Sequence, residues 1–424
     1  MKQLLPQRSD WEAVRRSPRR DLLAGVTVAV VALPLALAFG VASGLGAEAG
    51  IVTAVVAGAV AAVFGGSNLQ VSGPTGAMTV VLIPIIATHG PDGVLVVGLM
   101  AGLILVGLGY AGAGRFIRYV PVPVVEGFTV GIALIIAVSQ LKDLLGLSLG
   151  SVSADLVEAL PALWSARSSV NAAALAVGLV SIAGIGALRR LAPSFPGSLL
   201  VIALASAAVA FLALPVDTIQ SRFGALPAGL PWPSLPHLSV ARVTELLPSA
   251  FVIAFLAAVE SLLSAIVADR MIGGRHRSNA ELLAQGAANI ASPLFGGLPA
   301  TGAIARTATN VRAGGKTPVA GIVHAVAILA ITVAAGWLAG YLAMPSLAAL
   351  LIVTAWVMSE PGRWRERMKL RPADRTLLFL TMVLTVASNL TVAIAVGTAI
   401  GLAQRLLRRD VEPAEWTPAD RSKL

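Results

Sequence analysis

The sequence predicts an all-α polytopic membrane protein of 14 transmembrane segments, arranged as two inverted repeats of seven. Three observations carry that prediction. Hydrophobic residues make up 57% of the 424-residue chain and charged residues only 12%, with a mean hydropathy of +0.85; a soluble protein carries about a quarter of its residues as charges. Several apolar runs reach the ~20 residues that cross a bilayer core as helix, and they are too long for barrel strands. Lysine and arginine recur at every second loop, the positive-inside pattern.

In order, the runs place segments at 21–43, 47–65, 74–89, 93–111, 120–140, 170–189 and 197–215 in the first repeat. The second repeat follows at 247–269, 280–294, 299–312, 316–341, 345–359, 373–389 and 391–408. Residues 1–20 form a cytoplasmic arm, 21–215 the first repeat, 216–246 a Pro-rich extracellular linker, 247–408 the second repeat and 409–424 a cytoplasmic tail. With the N-terminus inside, 26 of the 31 Lys and Arg residues fall on the cytoplasmic side. Lys142, Arg167, Arg222 and Arg242 fall outside, and Arg306 falls within the membrane. An even number of spans, with both termini cytoplasmic in the inner (plasma) membrane, follows. The first run is too long for the core of a cleavable signal peptide, and it breaks at Pro34.

Composition also excludes. There are no cysteines, hence no disulfide, thiolate metal site or thiol nucleophile. The four histidines (His89, His237, His276, His324) lack metal-ligand spacing, and no nucleophile–base pair supports an enzyme. The net charge of +10 sits in loops flanking apolar runs, so it reports topology rather than nucleic-acid binding.

Segments three and ten are too short to span. Segment three opens Gly73-Pro74-Thr75-Gly76-Ala77 and segment ten opens Pro299-Ala300-Thr301-Gly302-Ala303. The two Thr-Gly-Ala triplets stand 226 residues apart (301 − 75), an offset that also sets Glu260 against Pro34. Inverted repeats with broken helices meeting at midplane are a transporter arrangement. Pro299 suits a first helical position, so segment ten is expected to start there. The backbone N–H groups of Thr75, Gly76 and Ala77 would then face those of Thr301, Gly302 and Ala303 around one anion-binding cavity. Close helix packing through small residues is the competing reading.

Arg306 is the cation buried by rank, either a charge in the substrate field, an ion-pair partner of Glu260, or a snorkelling side chain. Glu260 lies midway along segment eight, with Ser261 beside it and Ser264 one turn on. That set can carry a proton or ligate Na⁺, or the carboxylate is a fixed partner of Arg306. Glu126 and Asp269 fall near the interface and read as structural. His324 reads as a hydrogen-bonded packing residue or a proton relay, and Phe39 as an aromatic wall or simple packing. No cofactor is expected beyond H⁺ or Na⁺ as coupling ion. The expected partners are a small inorganic or carboxylate anion and the lipid bilayer, with no nucleic acid.

Glu260-Ser261-Leu262-Leu263-Ser264 continuing to Ala268-Asp269, then Arg275-His276 and Asn279, resembles the sulfate permease (SulP) family of anion transporters. So do Leu33-Pro34 through Ala38-Phe39, Gly73-Pro74, Gly127-Phe128-Thr129 with Gly131, and Pro299 through Arg306-Thr307. The likeness covers residues 20–408. It implies a fold like uracil permeases, with segments 1–4 and 8–11 as core and 5–7 and 12–14 as gate. It also implies that Phe39 and Arg306 line the anion site and that Glu260 and Ser264 stand where coupling-ion ligands occur. Secondary active import of bicarbonate, sulfate or a dicarboxylate such as fumarate, by elevator-like motion with proton symport, is the function implied. An uncoupled exchanger or channel, and a nucleobase carrier of the same fold, are the alternatives. Leu35 and Ala305 depart from relatives that carry glutamine and serine there, leaving the backbone and Arg306 more of the binding. The family usually ends in a cytoplasmic STAS domain. The 15 residues after Arg409 are too few for one, so any homodimer is expected to rest on membrane contacts.

Overall fold

The computed structural model describes residues 4–7, 10, 11, 14, 18–115, 121–150, 152, 153, 155–192, 195–224, 229–387 and 390–407. The expected basic positions Lys2, Arg8, Arg15, Arg16, Arg118, Arg408 and Arg409, and the tail 409–424, lie outside the described residues. Among the described residues the predicted segments appear in the predicted order. The first repeat runs α1 (Pro18–Ser43), α2 (Ala47–Phe64), α3 (76–89), α4 (91–110), α5 (Val122–Ser139), α6 (Ala172–Leu191) and α7 (Gly197–Phe211). The second runs α8 (Val240–Ile272), α9 (Ser278–Leu294), α10 (Ile304–Arg312), α11 (Val319–Ala339), α12 (Met344–Met358), α13 (Pro372–Ala387) and α14 (Leu390–Leu407).

Local chemistry explains the departures from simple spans. α3 and α4 run on from one another and are divided by Gly90, whose φ of 68° ends the helical path before Pro91. α1 continues through Pro34, correcting the expected break: a proline removes one ladder bond, and the turns on either side hold. α2 contains a π-helical turn at Thr53–Ala57, where the Thr53 hydroxyl accepts from Leu298 N at 2.6 Å. Short helices at Leu141–Leu145, Leu156–Ser165, Ile219–Phe223 and Trp364–Met368 were not anticipated. Leu156–Ser165 is capped by Asp155, whose carboxylate accepts from Val157 N at 2.8 Å, and Ile219–Phe223 lies in the linker with a Thr218–Ser221 capping box.

The helices sort into two packed units. α1–α4 pack with α8–α11, most extensively α9 and α8 against α3 and α4, and α11 against α1. α5–α7 pack with α12–α14, led by α13 against α5 and α12 against α6. These are the core and the gate. The linker helix touches both: the Phe223 ring lies against Gly46 between α1 and α2, while Arg222 pairs with Asp143 just beyond α5. Thr218 also bridges to Ala343 at the start of α12.

Small residues set the close approaches. A side-chain carbon on Gly50 of α2 would collide with the Ala36 carbonyl of α1. Replacing Gly50 with Val is therefore expected to force α1 and α2 apart and remove about 1–3 kcal/mol of stability, read as a lower apparent melting temperature in detergent.

Candidate functional site

The two repeats meet through backbone. Ser72–Gly73 (β1) and Thr301–Gly302 (β2) form an antiparallel pair, Ser72 opposite Gly302 and Gly73 opposite Thr301. Carried one position further, this register would set Pro74 opposite Ala300, residues 226 apart (300 − 74), the offset of the sequence repeat. Extended backbone at membrane depth must be paired inside the protein, and here each repeat satisfies the other. Glycine leaves room on both strands: a Cβ on Gly73 would push aside the end of the Arg306 guanidinium, and one on Gly302 the Gln70 amide.

The first half-helix starts at Gly76, two residues after the expected 74, so Met78 rather than Thr75 completes the first-turn donors. Thr75 is its extended N-cap, and the first intrahelical bond runs from Thr79 N to Thr75 O at 3.0 Å. That leaves the N–H groups of Gly76, Ala77 and Met78 at the positive end of the helix dipole.

The second half-helix corrects the sequence reading. It begins at Ile304, not Pro299, because residues 301 and 302 pair with β1. Ala300 N donates to Asn289 Oδ1 (2.9 Å), Gly302 N to Ser261 Oγ (2.9 Å) and Ala303 N to Val71 O (2.9 Å), while Thr301 is paired with Gly73. Thr301, Gly302 and Ala303 thus lie in the crossing as expected but are not the first-turn N–H donors. Those donors are Ile304, Ala305 and Arg306, since Thr307 N is the first to bond back, to Ala303 O.

Arg306 is 3% exposed. Its Nη2 donates to Pro74 O at 3.1 Å, and its Nη1 lies against Gly73 without a hydrogen-bond partner among the described residues. It forms no ion pair with Glu260 among the described residues, so neither the fixed ion pair nor the snorkelling alternative describes this structure. Glu260 instead accepts from the Thr75 hydroxyl at 3.1 Å, which explains why that hydroxyl does not cap α3. Ser261 Oγ lies 3.0 Å from Thr301 Oγ1, and Ser264 donates to Thr307 Oγ1 at 2.9 Å. One stretch of α8 therefore holds the N-cap of α3, β2 and α10. Phe39 packs beside Gly76 together with Ile136 of α5 and Met358 of α12, so gate side chains close on the first turn of α3.

Glu126 pairs with Arg363 (3.0 Å) and Arg367 (3.2 Å), and Asp269 with His276 (2.6 Å), away from the crossing. His324 is fully buried, and neither ring nitrogen has a hydrogen-bond partner among the described residues.

Sequence reasoning missed the buried frame behind β1 and β2. Glu281 of α9 accepts from Gly66 N (2.9 Å), Ser67 N (3.0 Å), Gln70 Nε2 (2.7 Å) and Gln285 Nε2 (2.9 Å). Gln285 also donates to Ser72 Oγ at 2.7 Å, and Asn289 Nδ2 donates to Ala300 O at 2.8 Å. Four N–H donors satisfy this buried carboxylate, which forms no ion pair among the described residues. The available signal was the spacing: Glu281, Gln285 and Asn289 recur every four residues on one face of an apolar helix.

The sulfate permease family model matches residues 19–381. A putative sulfate transporter YvdB of Bacillus subtilis is 40% identical over 380 residues, covering 89% of this chain and 72% of that protein. The bicarbonate transporter BicA of Picosynechococcus is 33% identical over 395 residues, covering 91% of this chain and 69% of that one. Among solved structures, the transmembrane domain of a cyanobacterium bicarbonate transporter BicA superposes with a TM-score of 0.79 at 31% identity, covering 92% of this chain and 98% of that chain. The overall structure of SLC26A9 gives 0.87 at 19% identity, covering 97% and 69%.

The glycine contacts generate a test. Gly73→Ala and Gly302→Ala are each expected to displace a site group, Arg306 or Gln70, at a cost of about 1–3 kcal/mol. Anion uptake into proteoliposomes should fall by roughly tenfold or more while the protein elutes as wild type in size-exclusion chromatography.

Proposed function

This chain belongs to the sulfate permease family and is an anion transporter, and on that premise we propose that it imports a small anion together with a coupling cation. The observation that carries this reading is the antiparallel meeting of β1 and β2, which brings the beginnings of α3 and α10 together beside the buried Arg306 guanidinium. Unpaired N–H groups, two positive dipole ends and one full charge favour a compact oxyanion or carboxylate. Phe39 closes the apolar side, and the small Gly76 and Ala77 let the anion approach backbone.

The relatives named for sulfate and for bicarbonate support those two substrates, and a dicarboxylate such as fumarate presents the same carboxylate oxygens. Leu35 and Ala305 supply no side-chain donors, so selection falls to backbone geometry and Arg306. Glu260 is the coupling group, with H⁺ favoured over Na⁺. Its bond to Thr75 at the α3 N-cap makes cation occupancy and the anion site neighbours. Transport proceeds by movement of the core past the gate, across the contact of Gly76 and Phe39 with Ile136 and Met358. The Lys and Arg distribution supports both termini on the cytoplasmic side.

Uptake of radiolabelled bicarbonate, sulfate and fumarate into proteoliposomes at two pH values tests the reading. Arg306→Ala is expected to weaken binding of the transported anion roughly 10- to 100-fold, about the 1.5–3 kcal/mol of a charged hydrogen bond. Glu260→Gln is expected to lose accumulation driven by an imposed proton gradient while retaining exchange of internal for external anion. Wild-type uptake indifferent to both proton and sodium gradients would remove coupling and leave an exchanger or channel.

A further inference from the structure

Behind β1, His324 and Arg306 carry buried polar atoms without partners among the described residues, as do Gln70 and Gln285 of the adjoining frame through their amide oxygens. Both nitrogens of His324 on α11 are unsatisfied, as is Nη1 of Arg306. Both residues are at least nine-tenths buried, His324 completely. Unsatisfied buried polar atoms are rare, and each asks for a missing partner. The two residues flank adjacent positions of one strand. His324 Nδ1 lies 3.7 Å from where a Gly58 side-chain carbon would sit, and the Ser72 carbonyl oxygen lies 3.3 Å from the same point. Arg306 Nη1 abuts Gly73, the next residue. Gly58 thus leaves a small space bordered by an imidazole nitrogen and a carbonyl oxygen.

The charges around His324 are few. α1 brings Arg19, Arg20 and Asp21 only at its cytoplasmic end, where Asp21 is bound to Lys316 N and Thr317. α2 brings Glu48 only at its outer end. On α9, Glu281 stands behind Ser72, joined to it through Gln285 and saturated by N–H donors. The charge that the strand brings next to His324 is Arg306, which lies against Gly73, the residue after Ser72; burial itself also disfavours an imidazolium. An imidazolium there faces a guanidinium across one strand, in surroundings where Coulomb energies are large. An anion at the α3 and α10 beginnings offsets that repulsion.

We infer that His324 is a proton-binding site linked to anion occupancy at Arg306: an arriving anion draws a proton onto the imidazole, whose N–H then donates toward the Ser72 carbonyl. Linkage is reciprocal, so the proton strengthens anion binding by the same factor as the anion strengthens proton binding. The site adds a positive charge to the loaded core, whereas a proton on Glu260 removes a negative one. This inference rests on the reading of Arg306 as the anion site.

The test uses the whole protein in lipid nanodiscs and the member of the sulfate, bicarbonate and fumarate panel that wild type binds. Calorimetric titrations in buffers of different ionisation heat give the protons taken up per anion. Wild type is expected to take up a measurable fraction of a proton that His324→Gln loses, with anion binding retained and its pH dependence flattened. In ¹⁵N-histidine-labelled wild type, which has only four imidazoles, one buried ring is expected to pass from neutral to imidazolium on anion addition; this readout serves if the variant does not fold. Unchanged proton uptake in His324→Gln, uptake lost in Glu260→Gln alone, or no ring changing state overturns the inference while leaving the anion site intact. If no member of the panel binds, or Arg306→Ala binds it as tightly as wild type, the anion-site reading falls and this inference with it.

Discussion

The rest of this structure depends on two residues of backbone in each repeat pairing with two from the other. Hydrocarbon gives an open N–H or C=O nothing to bond to, so a chain that abandons helix at membrane depth must find its partner within the protein. Ser72–Gly73 and Thr301–Gly302 do so by crossing antiparallel. Because Pro74 has no N–H, the first strand cannot extend, and the chain turns directly into α3. Because Ala303 caps α10 from an extended conformation, the second strand hands over in the same way. The crossing fixes where two helices begin, and the beginnings create the electrostatic field.

That field is held by a frame of uncharged donors around buried charge. α8 reaches the crossing through Glu260, Ser261 and Ser264, and α9 reaches it through Glu281, Gln285 and Asn289. Neither carboxylate is spent on Arg306. Direct pairing would quench the guanidinium and leave little attraction for an anion. By satisfying Glu281 with N–H groups and Glu260 with a threonine hydroxyl, the core keeps a positive centre in a region that would otherwise be neutral.

Much of this was legible in the residues. Apolar runs and the placement of Lys and Arg give the fourteen segments, and the 226-residue offset between Thr-Gly-Ala triplets matches the register of the crossing. What escaped was decided by partners distant in the chain. Pro299 carries a local helix-start signal, yet β1 from the other repeat offers residues 301 and 302 a strand, and pairing overrides the signal. Ile136 and Met358 are ordinary apolar residues in ordinary apolar helices, so nothing local marks their contact with Gly76. Glu281 was hidden by its place near a helix start, where an acidic residue is usual. The orphaned nitrogens of His324 are a property of packing and have no counterpart in composition.

The linker between the repeats has a consequence of its own. Its short helix leans on the core through Phe223 and is clamped to the gate through Arg222 and Asp143. Were the core to slide past the gate as proposed, the Phe223 ring would leave Gly46 or the Arg222–Asp143 pair would part, along with the bonds from Ile219 N to Leu342 O and from Gln220 N to Gly340 O. The linker would then resist the stroke at a point remote from the cargo.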